Sequence, residues 1–279
     1  MHPAKYYNVG TERQIQCQLC PHRCRLKDGQ TGLCRVRRNV GGELYSTNYG
    51  ACSALAVDPI EKKPLFHFYP GSEIFSVGTV GCNFACQFCQ NWHIAQGEPK
   101  TYQISPAALV KQALDVGGEN IGIAYTYSEP GVWFEYVLDT AALAHRYRLK
   151  NVMVTNGFIN PEPLTELLPY IDALNIDVKA FTETFYHCYC RGGLAAVKQT
   201  VELAARHSHV EVTTLIIPGL NDSEDEIAEL AEWLANIRPD IPLHLSRYFP
   251  NYKLDLPPTP LASLERAYQT AKRYLSYVY

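Results

Sequence analysis

The stretch Ile74-Phe75-Ser76-Val77-Gly78-Thr79-Val80-Gly81-Cys82-Asn83-Phe84-Ala85-Cys86-Gln87-Phe88-Cys89 runs from a short apolar strand pattern straight into three cysteines spaced C-x3-C-x2-C. Structural zinc sites close with four ligands, so three thiolates on one loop fit them poorly. Iron–sulfur cubanes normally take four cysteines. With three, one iron stays open and can bind a substrate, so the loop reads as a place for chemistry.

From Ile74 onward the pattern repeats. Strand signals fall at Ile74–Val80, Ile121–Thr126, Val152–Thr155, Ala173–Val178, Val210–Ile217 and Pro242–Ser246. Amphipathic helical patterns fill the gaps at Pro106–Val116, Val132–Tyr147, Leu194–His207, Asp225–Ala235 and Leu261–Tyr274, with a shorter one after Pro163. Ser105 before Pro106, Thr259 before Pro260 and the box Ser223-Glu-Asp-Glu226 are start signals. Such alternation gives a parallel sheet covered by helices. Six units predict an α/β fold, a partial (β/α)6 TIM-like barrel over residues 71–279. Sites in these folds lie at the carboxyl ends of the strands. The cysteine loop follows the first strand and meets that expectation.

Residues 1–70 read as a small Cys-rich appendage, ended by Tyr69-Pro-Gly71. Cys17-x2-Cys20-x3-Cys24-x9-Cys34 supplies four thiols, enough to close a second metal site. Zinc is the simpler occupant, a fully ligated cluster relaying electrons the sharper one, and no metal a third reading. Cys52 is expected to be buried, and Cys188-Tyr-Cys190 to be free thiols. Arg23, Arg25, Lys27, Arg35, Arg37 and Arg38 read as a solvated face suited to an acidic electron donor.

Composition narrows the class. A 47% hydrophobic and 19% charged chain can bury a large core. There is no apolar run of membrane length and no signal-like start, so a cytoplasmic protein is expected. Ten cysteines in a reducing compartment favour metal binding over disulfides. A net charge of −3 gives no reason to expect nucleic acid.

The cysteine loop with Asn91 resembles the signature of the radical S-adenosylmethionine (radical SAM) enzymes. The resemblance implies a 4Fe–4S cluster on Cys82, Cys86 and Cys89, whose open iron binds the amino and carboxylate groups of S-adenosylmethionine (SAM). Reductive cleavage then gives a 5′-deoxyadenosyl radical that abstracts hydrogen from a substrate. Tyr127-Ser128-Glu129-Pro130 stands where the family has Gly-Gly-Glu-Pro, implying that Ser128 and Glu129 meet the methionine amino group. Gly117-Gly118-Glu119 matches those letters better, but it precedes its strand and reads as a glycine helix stop.

Thr155-Asn156 follow the third strand and are placed with the cofactor. Alternation puts Asn175, Asp177 and Lys179 on one face, where Asp177 suits a ribose hydroxyl and Lys179 a carboxylate. Phe88 matches a position beside the adenine, Ile217-Pro-Gly-Leu-Asn-Asp222 one near the adenosine, and His244 one near the substrate. Val154 replaces the acidic residue that glycyl-radical activating enzymes use for a monovalent cation.

Over nearly its full length the chain resembles the radical SAM member of the AmmeMemoRadiSam system, related to pyruvate formate-lyase activating enzymes. Cys17-Gln-Leu-Cys20-Pro-His-Arg-Cys24, Gly32-Leu-Cys34-Arg35 and Asp58-Pro-Ile-Glu61-Lys62-Lys63-Pro64-Leu65 also carry that likeness. Members usually continue into a tail with further cysteines, so the chain reads as a short or truncated form. The substrate implied is a small molecule, a peptide or a partner protein's glycine, with a flavodoxin or ferredoxin as reductant. The competing expectation is an iron–sulfur electron carrier or metal-stabilised binding module without catalysis.

Overall fold

Short runs of apolar and β-branched residues with both faces buried form parallel strands, and all six strand patterns do so. A computed structural model describes Met1–Tyr279. The sheet begins one strand earlier, with β1 (Ala54–Pro59), followed by β2 (Glu73–Gly78), β3 (Asn120–Tyr125), β4 (Lys150–Thr155), β5 (Ala173–Asp177), β6 (His209–Ile216) and β7 (Leu243–Arg247). They lie side by side in chain order, β2 to β7 parallel, making the curled sheet of a partial barrel. β1 pairs antiparallel with β2 through six residue pairs, from Ala54↔Gly78 to Pro59↔Glu73. The sheet therefore reaches into the segment that reads as the Cys-rich appendage. The rest of that segment forms two small antiparallel sheets of three strands each, and Ala51–Cys52 pairs with Tyr102–Gln103.

The crossovers carry α1 (Pro106–Val116), α2 (Phe134–Arg146), α3 (Pro161–Leu167), α4 (Leu194–Ala204) and α5 (Glu224–Ile237), and α6 (Leu261–Ala271) follows β7. No helix is long and apolar enough to cross a membrane. Two of the three expected caps form. Ser105 accepts from Ala108 N and Ser223 from Glu226 N, each at 3.2 Å, satisfying first-turn donors. Thr259 does not cap α6. Its hydroxyl donates to Ile216 O at 2.6 Å and accepts from Tyr248 N at 2.9 Å, tying the end of β6 to the loop after β7.

The segment between β1 and β2 fills the amino end of the barrel. Ile60, Leu65 and Phe68 pack with Ile74, Ala124, Val152 and Ala173. Buried Lys63 pairs with Asp58 at 2.7 Å, and Tyr127 donates to the same carboxylate at 2.7 Å. Glu211, fully buried on β6, anchors the far side of this plug. It accepts from Phe66 N (3.0 Å) and His67 N (2.8 Å), while His209 Nε2 and His244 Nε2 lie 2.9 and 2.6 Å from its oxygens. Burial pushes the Glu211 carboxyl up, but these donors outweigh it and hold it down to about 2.

A lowered carboxyl contributes stability that is present above its ordinary 4.5 and lost as pH falls through about 2. Glu211→Ala should therefore cost about 3 kcal/mol at neutral pH. Thermal unfolding should show a deficit against wild type that shrinks between pH 4.5 and pH 2. A deficit independent of pH would contradict the anchoring role.

Candidate active site

β2 ends at Gly78 and releases the cysteine loop at the carboxyl end of the sheet. Backbone partners from distant segments fix the loop. Ala85 N donates to Cys190 O (2.8 Å), Gln87 N to Tyr189 O (2.9 Å) and Lys253 N to Gln87 O (2.8 Å). Asn83 Nδ2 donates to Phe158 O at 2.6 Å, and Phe84 N to Cys82 Sγ at 3.3 Å. Gly81 sits at φ +87°, and a Cβ there would lie 2.6 Å from Cys34 O. Only glycine tolerates both the left-handed backbone and that approach. Cys86 is buried and Cys82 and Cys89 are half-buried. Burial pushes the Cys82 and Cys89 thiols up, Cys89 to about 11. A metal centre here must therefore displace protons as it binds.

The ends of β3 and β4 meet the loop through one carboxylate. Glu129 Oε1 accepts from Gly131 N and from the Thr155 hydroxyl, both at 2.7 Å, and Oε2 accepts from Asn156 N at 2.8 Å. Burial raises this carboxyl to about 6; the three donors oppose the shift and Asp177 adds to it. Asn156 Nδ2 then reaches Asn83 Oδ1 at 2.9 Å and Cys82 Sγ at 3.6 Å. Glu129, Thr155, Asn156 and Cys82 thus form one connected group. Beside them, Ser128 Oγ is buried without a hydrogen-bond partner, which leaves a donor and acceptor for a ligand.

Asp177 ends β5 and Lys179 lies two residues beyond it, in alternation with Asn175, while Ile176 and Val178 are buried in the core. The Lys179 ammonium is 2.8 Å from Asp177. Burial pushes Lys179 down, but Asp177 and Cys86 hold it above its ordinary value, so it stays charged. Its backbone is pinned as well: Lys179 N donates to the Tyr186 hydroxyl at 3.0 Å, and Asn221 Nδ2 donates to Lys179 O at 2.7 Å. The segment Ile217–Asp222 reaches the site through Asn221.

The structure also places His244, Phe88 and the arginine cluster. His244 does not join the strand-end group; it is buried against Glu211 in the barrel plug, with its ring stacked on Tyr279. Phe88 is buried in the core, 5.8 Å from the Phe185 ring. The arginine cluster is not wholly a solvated face, because Arg37 is internal and pairs with Glu135 at 3.0 Å. Gly117 and Gly118 end α1 at positive φ, ahead of β3, as a helix stop requires.

Sequence reasoning missed Cys190. A π-helical turn, Tyr186–Cys190, buries it against the cysteine loop, where Ala85 N donates to Cys190 O and the Cys190 thiol acts on Cys86. The Cys188-x-Cys190 spacing contains no sign of that neighbour, since about a hundred residues separate the two segments. Cys188 is exposed. Cys17, Cys20, Cys24 and Cys34 line one cavity of their own. A surface depression of about 730 Å³ between His145, Tyr170, Arg206 and Arg238 opens at the amino ends of the strands, away from the cysteine loop.

Comparison with known proteins agrees with this geometry. A family model described as the radical SAM superfamily matches residues 76–234. Uncharacterized protein MJ0808 of Methanocaldococcus jannaschii is 42% identical over 286 aligned residues, covering 100% of this chain and 84% of that protein. The pyruvate formate-lyase-activating enzyme of Clostridium pasteurianum is 26% identical over 171 residues, 57% of this chain and 68% of that enzyme. The structure of TYW1 with a lysine-pyruvate adduct bound aligns at a TM-score of 0.56 and 18% identity, covering 80% of this chain and 85% of that one. At that identity the likeness is one of fold.

Proposed function

The chain belongs to the radical SAM superfamily, and we propose that it is an oxidoreductase of the activating-enzyme kind, cleaving SAM reductively at a 4Fe–4S cluster on Cys82, Cys86 and Cys89. One observation carries this reading. Three thiols on a single loop face two polar strand ends, Glu129-Thr155-Asn156 on one side and Asp177-Lys179 on the other. A pure electron carrier needs no such lining. The residues fit the group: three thiols leave one iron open, and the unpartnered Ser128 hydroxyl and the charged Lys179 offer partners for a zwitterion. A cluster held by Cys82, Cys86 and Cys89 would supply the one-electron reduction that cleaves SAM and makes hydrogen abstraction from a substrate possible.

The protein's own part is binding and orientation. Lys179 meets the methionine carboxylate and Asp177 a ribose hydroxyl. Glu129 acts on the site through Thr155 and Asn156, which it holds beside Cys82. The reductant is a flavodoxin- or ferredoxin-like protein, and the reducing cytoplasm is where free thiols of this number persist.

Anaerobically reconstituted protein given SAM and dithionite should release 5′-deoxyadenosine and methionine in equal amounts. Reversible one-electron titration without release would instead identify a carrier. The likeness to an activating enzyme supports a glycine of a partner protein as the hydrogen donor. Deuterium passing from glycine-labelled partner into 5′-deoxyadenosine is the outcome expected. Label arriving only from a small molecule would replace that donor.

A further inference from the structure

Cys17, Cys20, Cys24 and Cys34 come from separate short segments around the first small sheets, yet they line a single enclosed cavity with His22 and Arg37. Four thiols around one buried space exceed what packing requires. Arg37 adds a second observation. Its side chain is 1% exposed, with one terminal nitrogen on Glu135 and the other on Lys5 O. Its Nε–H is buried without a hydrogen-bond partner, while the guanidinium lies beside the Cys17 thiol. A buried donor left unmade costs about 1–3 kcal/mol, so an acceptor is missing from this arrangement, and a sulfur in the cavity would supply one.

The space favours a polynuclear centre over a single ion. Tetrahedral zinc holds its thiolates about 2.3 Å from the metal, closing four sulfurs around a point. The space between these side chains admits a body about the size of a water molecule, which four sulfurs closed on one ion would not leave. An iron–sulfur cluster, whose cysteines sit outside its iron and sulfide corners, matches that wider ring. Four thiolates complete it, so no iron remains open and SAM has nowhere to bind.

The cavity shares a wall with the catalytic loop. His22 Nε2 is 2.7 Å from Asn83 O, and Cys34 O is the atom that excludes a Cβ at Gly81. Both loop residues flank Cys82. We propose that Cys17, Cys20, Cys24 and Cys34 hold a second, fully cysteine-ligated 4Fe–4S cluster beside the catalytic loop, with Arg37 Nε–H donating to one of its sulfurs. Hydrogen bonds to cluster sulfurs are one lever on cluster potential, and this donor is fixed in place by Glu135.

The test removes the other site. The triple variant Cys82→Ala/Cys86→Ala/Cys89→Ala, reconstituted anaerobically, should keep about four irons and four sulfides per chain. After dithionite supplies one electron per cluster, its paramagnetic spectrum should be unchanged by SAM. One zinc per chain, no metal, or a SAM-sensitive spectrum would overturn the proposal. In the complementary Cys20→Ser/Cys24→Ser variant, iron should fall from about eight to about four, leaving a signal that SAM does perturb. Iron unchanged at about eight would also overturn it. If that second variant does not fold, the triple variant still decides. Because it lacks the catalytic thiols, its result is independent of whether wild-type protein cleaves SAM.

Discussion

Cys86→Ala protein, reconstituted without oxygen, should carry about four fewer irons per chain than wild type and release no 5′-deoxyadenosine above a metal-free control. Cys86 is the most buried of the three loop thiols, and Cys190 and Lys179 both act on its thiol. Two remaining thiolates cannot hold a cubane against loss to solvent. Cys190 is close enough to stand in as a ligand, so the double variant Cys86→Ala/Cys190→Ala closes that route. Cys190→Ala alone should keep cleavage within a few-fold of wild type and cost about 1 kcal/mol in stability, as a small buried truncation does. Iron and sulfide analysis with chromatography of the nucleoside reads all three. Release of 5′-deoxyadenosine by the double variant would falsify the ligand assignment.

The second large effect concerns Glu129. Its carboxylate accepts three hydrogen bonds from two strand ends. Glu129→Ala leaves Gly131 N–H, the Thr155 hydroxyl and Asn156 N–H buried and unpaired, at about 1 kcal/mol or more each. Stability should fall by about 3 kcal/mol, and the KM for SAM should rise about 100-fold as Asn156 leaves Cys82. Glu129→Gln keeps the bulk but presents a donor to at least one donor, and should be intermediate.

The same group sets a pH dependence. Its folded value, about 6, lies above the ordinary 4.5. Protonation therefore favours the folded state: this group's contribution is fully present below pH 4.5 and lost as pH rises through 6. The ionised form is the one that accepts all three donors, so SAM cleavage should decline below about pH 6 while thermal stability does not. A wild-type acid limb retained unchanged in Glu129→Gln would place the titration elsewhere.

Much of the barrel is legible in the sequence, because each parallel strand is a short apolar run closed by turn residues and followed by an amphipathic helix. Asp177 and Lys179 are legible for the same reason: strand alternation alone puts them on one face, and register rejects Gly117-Gly118-Glu119. Legibility ends where packing between distant segments decides. The edge strand Ala54–Pro59 leaves Leu55 and Val57 substantially exposed, so it lacks the buried-strand pattern. His244 looks like any strand histidine until the segment 64–67 is seen folding over Glu211. Cys190 meets Cys86 only through a π-helical turn that no local periodicity signals. Thr259 carries a cap residue's chemistry, yet Ile216 O claims its hydroxyl first.

The plugged amino end has a kinetic corollary. With Ile60, Leu65, Phe68 and the Asp58–Lys63 pair filling one end of the barrel, traffic cannot pass straight through. For the proposed function, both reactants would come in over the strand carboxyl ends, and the one seated against the cysteine loop would arrive first and depart last. Steady-state kinetics should then follow a compulsory order: SAM leads, the second substrate follows, and methionine and 5′-deoxyadenosine compete with SAM for the empty enzyme.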